Sequence, residues 1–247
     1  TMYIRYYKEY SNYLNRDMEF KVYGHAGIPF IVFPCQNGRF FDFENRGMID
    51  TVADKIEDGK LQLFCVDCVD EETWSAEGGD YHGRIMWHEQ WFHYLCEEFL
   101  PRLHQIHSET DEKSYVGKVM LTGASMGGYH AVNFYLRRPD LFGGCLSLSG
   151  LFHAGYFFPD YTVEGGQHPL YTRCGEESVS LRHKFRMVSV SASLGDVFGG
   201  VGLYSRPGES FAYTAAFGAI PEGFYLCYDT RHEVSSEFHP DGSSYSE

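Results

Sequence analysis

The sequence predicts an α/β fold, with a mostly parallel central sheet and helices on both of its faces. Short apolar segments bounded by turn residues, typical of buried strands, alternate along the chain with longer segments of helical periodicity. Strands and helices that alternate in this way favour parallel pairing through crossover connections. The chain has 247 residues, 43% of them hydrophobic, which suits one well-buried core. We therefore expect a single domain over residues 1–247.

The predicted elements follow in chain order. Apolar alternation or continuous apolar runs predict strands over 20–24, 28–34, 61–66, 118–122 and 145–149. Apolar residues that recur at spacings of three and four residues predict a long helix over 86–107, which Pro101 should kink or end. Another helix is predicted over 129–138, where Pro139 stops it.

The pattern is weaker after Gly150. Strands are predicted over 185–192 and 224–228, and between them only 210–217 is a candidate for the expected crossover helix. The tail, 235–247, is polar, and we expect it to be frayed.

Composition argues against several classes of partner. A net charge of -14 repels phosphate backbones and anionic lipid, so neither nucleic acid nor a membrane surface is an expected partner. No apolar stretch approaches the ~20 residues of a membrane helix, and no segment resembles a signal peptide. The seven cysteines are odd in number and scattered, which favours a reducing compartment and a cytoplasmic location.

The sequence implies no metal and no organic cofactor. Cys65 and Cys68 have the spacing of half a zinc site, but no second pair accompanies them, so we interpret them as packing residues. The oligomeric state is left open, and a homo-oligomer remains a possibility.

One motif carries chemistry. Gly123-Ala124-Ser125-Met126-Gly127 fits the pattern G-x-S-x-G, and it lies between a predicted strand and a predicted helix. That setting is typical of the nucleophile elbow of α/β-hydrolases, in which small neighbours permit a strained turn at the strand tip. The motif predicts that Ser125 is the nucleophile, at the N-terminus of a helix and facing the carboxyl ends of the strands.

A serine hydroxyl needs a base to become a nucleophile, and this fold orders its triad as serine, acid, histidine. Asp196 follows the strand predicted over 185–192 and is the expected acid, with Asp229 as the alternative. His232 follows the strand predicted over 224–228 and is the expected base, with His239 as the alternative.

The negative charge that develops on the substrate oxygen needs preorganised donors. One should be the backbone N–H of Met126. The second should come from the loop after the strand at 28–34, where we favour the N–H of Gln36 and keep that of Cys35 as the alternative.

These features resemble the esterase D-like family of α/β-hydrolases, which groups with S-formylglutathione hydrolases, feruloyl esterases and mycolyltransferase-type acyltransferases. The resemblance covers about Tyr3 to Tyr161 and rests on residues 23–29, 33–38, 67–70, 123–131, 137–142 and 148–150. It implies a small-molecule carboxylic ester as substrate and Ser125 as nucleophile. Relatives usually carry a tryptophan beside the acid and the histidine, whereas this chain has none after Trp91.

Three functions follow from the sequence. The first is ester hydrolysis through an acyl-enzyme. The second is acyl transfer to an alcohol or sugar by the same triad. The third is a non-catalytic binding module, in which the divergent C-terminal third has lost the acid or the histidine.

Overall fold

The structure of the chain is a computed structural model. The structure describes residues 2–78, 80–111, 115, 117–138, 140–151, 157, 185–188 and 198–205. The chain forms two compact units, Thr1–Leu121 and Thr122–Glu247. The expectation of a single domain over 1–247 stays a prediction.

The first unit contains four complete strands and most of the helices. The strands are β1 (Ile4–Ser11), β2 (Arg16–Tyr23), β3 (Ile28–Phe33) and β4 (Leu61–Val66). The helices are α1 (Asp42–Asn45), α2 (Met48–Thr51), α3 (Ala53–Glu57), α4 (Tyr81–His93) and α5 (Leu100–Thr110). A 3₁₀ turn lies at Asp70–Glu72, and a π-helical segment, Tyr94–Phe99, joins α4 to α5.

The strands of this unit are ordered β1-β2-β4-β3. The pairing of β3 with β4 is parallel, whereas β2 pairs with β1 and with β4 in the antiparallel sense. Strand β1, which the sequence pattern did not predict, reaches β2 through a tight turn that contains Asn15 at φ 51. Two strands joined by so short a turn pair antiparallel, so this end of the sheet departs from the parallel arrangement.

Helices cover both faces of this sheet. Successive side chains of a strand point to opposite faces. On one face, a buried cluster packs the sheet against the short helices α1, α2 and α3. The cluster consists of Tyr23, Val32, Phe43, Ile49, Ile56, Leu63 and Cys65. The opposite face presents Phe20 and Phe64, whose ring centroids lie 5.0 and 6.5 Å from that of Phe99 in the π-helical segment. The predicted two-sided α/β arrangement is therefore present here.

The helix predicted over 86–107 begins earlier and is interrupted. Its start is set by Asp80, whose carboxylate caps α4 by accepting the N–H groups of His82 and Gly83. Pro101 lies in the first turn of α5, where its missing N–H is tolerated, and the π-helical segment precedes it. The predicted break therefore takes the form of a change of helix type rather than an end.

A buried polar network ties α5 to the start of β4. The Gln62 side chain, 0% exposed, donates from Nε2 to the Gly24 carbonyl at 3.1 Å and to the Thr110 hydroxyl at 2.9 Å. Its Oε1 contacts Nδ1 of His107. Nε2 of His107 lies 3.4 Å from the carboxylate of Asp111. The side-chain amide of Gln62 therefore joins three chain segments: the start of β4, the residue that follows β2 and the C-terminal part of α5.

Replacing Gln62 with leucine should destabilise the protein by about 2–4 kcal/mol, because each buried polar group left unpartnered costs about 1–3 kcal/mol. Gln105→Leu is the matched control, since Gln105 lies exposed on α5, and its effect should stay within about 0.5 kcal/mol. Urea denaturation of both variants measures the difference. Equal free energies of unfolding in the two variants would contradict the network's importance.

Strand β5 (Val119–Ala124) crosses from the first unit into the second. The second unit continues with helix α6 (Met126–Arg137) and strands β6 (Phe142–Leu151), β7 (Phe185–Val188) and β8 (Phe198–Ser205). Strand β8 pairs antiparallel with both β6 and β7. It lies in the glycine-rich stretch between the strands predicted over 185–192 and 224–228, where the sequence pattern did not predict a strand. The strand predicted over 224–228, the helix candidate 210–217 and the tail 235–247 lie outside the described residues.

Candidate active site

The G-x-S-x-G motif forms the predicted turn between a strand and a helix. Strand β5 ends at Ala124, and α6 begins at Met126. Ser125 between them has φ 56 and ψ -121, a backbone conformation that residues with a Cβ rarely adopt. Such strain persists only where the surroundings impose it, and it is frequent at active sites. Ser125 is half-buried.

Glycines make the turn sterically possible. A Cβ on Gly123 would lie 2.5 Å from both the carbonyl carbon and the carbonyl oxygen of Gly127. A Cβ on Gly128 would lie 2.5 Å from the hydroxyl of Ser147 and 3.1 Å from the Cα of Gly150. The contacts at Gly123 are with backbone atoms and are shorter than a Cβ tolerates, so the close approach of β5 to the start of α6 requires glycine there. At Gly128, an added Cβ would force the Ser147 hydroxyl and the Gly150 backbone to shift.

Hydrogen bonds hold the turn against β6. The Ser125 N–H donates to the Leu148 carbonyl at 2.9 Å, and the Thr122 hydroxyl donates to the Leu146 carbonyl at 2.8 Å. The Tyr129 N–H donates to the Ser125 carbonyl at 3.2 Å, which is the first helical bond of α6. Hydrogen bonds to β6 and within α6 therefore hold the strained backbone of Ser125 on both sides.

The N-terminus of α6 offers donors beside Ser125. The first N–H groups of a helix have no intrahelical acceptor and carry the positive end of its dipole. Within the described part of the chain, the N–H of Met126 has no hydrogen-bond acceptor. Its side chain is 1% exposed, so the residue is held in place by packing. This N–H has the properties that an oxyanion donor needs.

A second candidate donor lies in the first unit, in the loop that follows β3. Three of its backbone N–H groups are already engaged: that of Cys35 by the Asp42 carboxylate at 3.0 Å, that of Gly38 by the Cys35 carbonyl at 2.8 Å, and that of Phe40 by the Asp67 carboxylate at 2.8 Å. The N–H of Gln36 has no acceptor among the residues that the structure describes. The Cys35 N–H is therefore already engaged within its own loop, whereas the Gln36 N–H is not.

Two side chains of this region have shifted pKa values. Burial, reinforced by Asp42, raises the pKa of the Cys35 thiol to about 11, so the thiol is protonated at neutral pH and is a poor nucleophile. Burial also raises the pKa of Asp67, although the Arg39 guanidinium, whose Nε lies 3.0 Å from Oδ1, opposes the shift.

A polar cavity of about 430 Å³ opens beside this loop within the first unit. Six carboxylates and two guanidinium groups line it, from Asp17, Glu19, Asp67, Asp70, Glu71, Glu72, Arg16 and Arg39. Because carboxylates outnumber guanidinium groups, an anionic group would be repelled from this cavity.

The structure describes only part of the predicted constellation. Ser125 and Met126 are adjacent in the second unit, while Gln36 and Cys35 belong to the first. The expected acid and base, Asp196 and His232, and their alternatives Asp229 and His239 lie outside the described residues. The anchoring role of Asp42 was not predicted, because a carboxylate in a polar loop carries no pattern that distinguishes it.

Within the described ranges, no group of three or more histidine, cysteine, aspartate or glutamate side chains is arranged to hold a metal ion. No helix in the same ranges has both the length and the apolar character needed to cross a membrane.

A sequence profile of the family described as "Putative esterase" matches residues 11–176 of the 247-residue chain. No curated protein matches the chain. The resemblance inferred from the motifs is thereby confirmed, and so is the predicted α/β-hydrolase fold class.

Solved structures of esterases are similar to the chain. A ferulic acid esterase is 16% identical with a TM-score of 0.46, over 62% of this chain and 59% of that one. The fluorophosphonate-binding serine hydrolase FphF of Staphylococcus aureus is 17% identical with a TM-score of 0.45, over 67% and 64%. The S-formylglutathione hydrolase FrmB of Staphylococcus aureus is 13% identical with a TM-score of 0.47, over 73% and 72%. The chain thus spans less than two thirds of the length of the ferulic acid esterase and of FphF.

Proposed function

The chain belongs to the esterase family whose profile it matches, and from this premise we propose that it is a serine esterase acting on a small-molecule carboxylic ester. The observation that carries the proposal is the backbone of Ser125, held at φ 56 and ψ -121 between β5 and α6. This conformation stores strain and holds a half-buried serine at the N-terminus of a helix.

In the proposed reaction, His232 takes the proton of the Ser125 hydroxyl as the oxygen attacks the ester carbonyl. The tetrahedral intermediate collapses, the C–O bond to the alcohol breaks, and the alcohol leaves with the proton from His232. Water, activated by the same histidine, then releases the acid from Ser125. Asp196 orients the imidazole and stabilises its charged form. The roles of Asp196 and His232 stay predictions of sequence order.

The N–H groups of Met126 and Gln36 are the proposed donors to the oxyanion. Removal of one such donor costs about 10²–10³-fold in kcat in serine hydrolases. For Met126, support comes from its place in the first turn of α6. For Gln36, it comes from the engagement of the neighbouring N–H groups in the same loop. A cytoplasmic location also stays a prediction, and the oligomeric state stays open.

Labelling with a fluorophosphonate probe tests the proposal. The wild-type protein should gain one probe adduct, detected by intact-mass spectrometry and mapped to Ser125 by peptide analysis. Ser125→Ala should gain none. Ser108→Ala, which removes an exposed hydroxyl on α5, should be labelled like the wild type. A folded wild-type protein that takes up no probe would favour the non-catalytic binding module instead.

A further inference from the structure

Strand β1 lies at the edge of its sheet, and one side of its backbone has no partner strand. Among the described residues, its neighbour is β2 alone. The Gly24 N–H donates to the Tyr3 carbonyl at 2.8 Å, which continues the register that places Ile4 opposite Tyr23. Residues of an antiparallel ladder alternate between hydrogen-bonded and non-hydrogen-bonded pairs, so the odd-numbered residues of β1 bond to β2. The N–H and C=O groups of the even-numbered residues therefore point away from β2: Ile4, Tyr6, Lys8 and Tyr10.

The same even-numbered residues carry exposed side chains. Alternate side chains of a strand lie on one face, and all four of these are exposed. Tyr6 and Tyr10 are more exposed than any other large hydrophobic side chain of the described residues. An exposed edge that combines free backbone groups with apolar side chains is a template for a further strand.

The backbone limits how a second copy of β1 can pair with the first. Outward-pointing groups bond only to outward-pointing groups, so an even-numbered residue must lie opposite an even-numbered residue. When two identical strands pair antiparallel in this way, the twofold axis passes through a residue and not between two residues. The registers with the greatest overlap have this axis at Tyr6, Tyr7 or Lys8.

The charges of β1 favour the register with the axis at Tyr7. This register places Arg5 of each copy opposite Glu9 of the other. Opposite charges in directly opposed positions stabilise a sheet, whereas like charges destabilise it. With the axis at Lys8, two ammonium groups would face each other. With the axis at Tyr6, Arg5 would lie opposite Tyr7, and no opposite charges would meet.

The side chains of Arg5 and Glu9 are available for this pairing. Glu9 is held by Nε of Arg102, which lies 2.9 Å from its Oε1. A carboxylate has further lone pairs, so Glu9 can accept a second guanidinium. Arg5 is exposed, and no carboxylate of the described residues pairs with it.

We propose that β1 is a dimer interface, at which it pairs antiparallel with β1 of a second copy about a twofold axis through Tyr7. About eight main-chain hydrogen bonds join the two strands. On the exposed face, Ile4 lies opposite Tyr10 and Tyr6 lies opposite Lys8, which covers the apolar side chains. Each contact occurs twice, so the interface closes at two copies. The proposal does not depend on the proposed esterase activity.

Sedimentation velocity at protein concentrations up to about 100 μM tests the association. The wild type should sediment as a dimer. Arg5→Glu places like charges opposite each other twice and should raise the dissociation constant of the dimer by about tenfold or more. Lys55→Glu, on the exposed surface of α3, makes the same change of net charge and should leave the dimer intact. A wild type that stays monomeric overturns the proposal, as does a dimer that Arg5→Glu leaves unchanged.

Mixing two single variants tests the pairing of charges. Glu9→Lys should also weaken its own dimer. In a mixed dimer of Arg5→Glu with Glu9→Lys, however, both opposed pairs again carry opposite charges, so the mixture should associate more tightly than either variant alone. Thermal unfolding of each variant first establishes that it is folded. A mixture that associates no more tightly than its two folded components contradicts the register.

A cysteine scan tests the register without any change of charge pairing. Tyr7→Cys should form a disulfide between copies, because position 7 lies opposite itself as a non-hydrogen-bonded pair with Cα atoms about 4.5 Å apart. Lys8→Cys is the matched control, since position 8 lies opposite position 6 and its sulfur atoms are out of reach. Non-reducing electrophoresis measures the linked dimer, with the wild type giving the background from its own cysteines. Linkage through Lys8→Cys but not through Tyr7→Cys overturns the proposed register even if charge variants fail to fold.

Discussion

Ser125→Ala is expected to lower kcat on a p-nitrophenyl ester by about 10⁶-fold, the effect of removing the nucleophile in a comparable serine hydrolase. The hydroxyl forms the covalent bond to the acyl group, and the alanine side chain has no group that can form that bond. KM should change much less than kcat. Steady-state rates at high enzyme concentration measure the residual activity.

The stability of the Ser125 variants shows whether activity is lost through the missing hydroxyl or through unfolding. Alanine carries the same Cβ as serine, so the backbone strain at φ 56 is retained and the midpoint of thermal unfolding should barely move. Ser125→Gly should also be inactive, yet it should raise the free energy of unfolding by up to about 1–3 kcal/mol, because glycine adopts this conformation without a steric penalty. Unchanged stability in the glycine variant would mean that the turn stores no strain.

Strands were easiest to predict where apolar side chains lie on both faces. Strand β4, Leu61–Val66, has five of its six residues buried, and such a run is visible without any knowledge of its partners. Strand β1 escaped prediction because it is an edge strand with large exposed residues: Tyr6 and Tyr10 are 52% and 57% exposed. Strand β8 escaped because its glycines have low strand propensity, and its formation depends on pairing with β6 and β7.

In the candidate site, as in the sheet, features encoded by neighbouring residues were predictable, and features that depend on distant contacts were not. Ser125 and Met126 were predictable because the whole elbow is encoded in five consecutive residues and the elements that flank them. Which of the Cys35 and Gln36 N–H groups is already engaged was not predictable, because the acceptor of the Cys35 N–H is the Asp42 carboxylate, seven residues further along the chain. The acid and base, Asp196 and His232, are distant from the motif in sequence and stay predictions.

Gly123→Ala is expected to impair activity and stability together. Its Cβ would lie 2.5 Å from the backbone of Gly127, and backbone atoms in the first turn of α6 cannot rotate away as a side chain can. Overpacking of this kind costs about 1–3 kcal/mol or more. The strain is relieved by moving Ser125 and the start of α6 apart, and a displacement of about 1 Å at a reacting group can cost about 10²-fold in rate.

Gly47→Ala is the matched control for Gly123→Ala. Gly47 has φ 74, so alanine there is strained, but no atom lies within 4 Å of the added Cβ. The control should lose about 1–2 kcal/mol of stability through backbone strain alone while keeping the wild-type kcat per folded molecule. Thermal unfolding and active-site titration with the fluorophosphonate probe give the two quantities separately. A Gly123→Ala protein with wild-type kcat per labelled site would mean that the elbow tolerates a Cβ, and that the contact with Gly127 is not what aims the Ser125 hydroxyl.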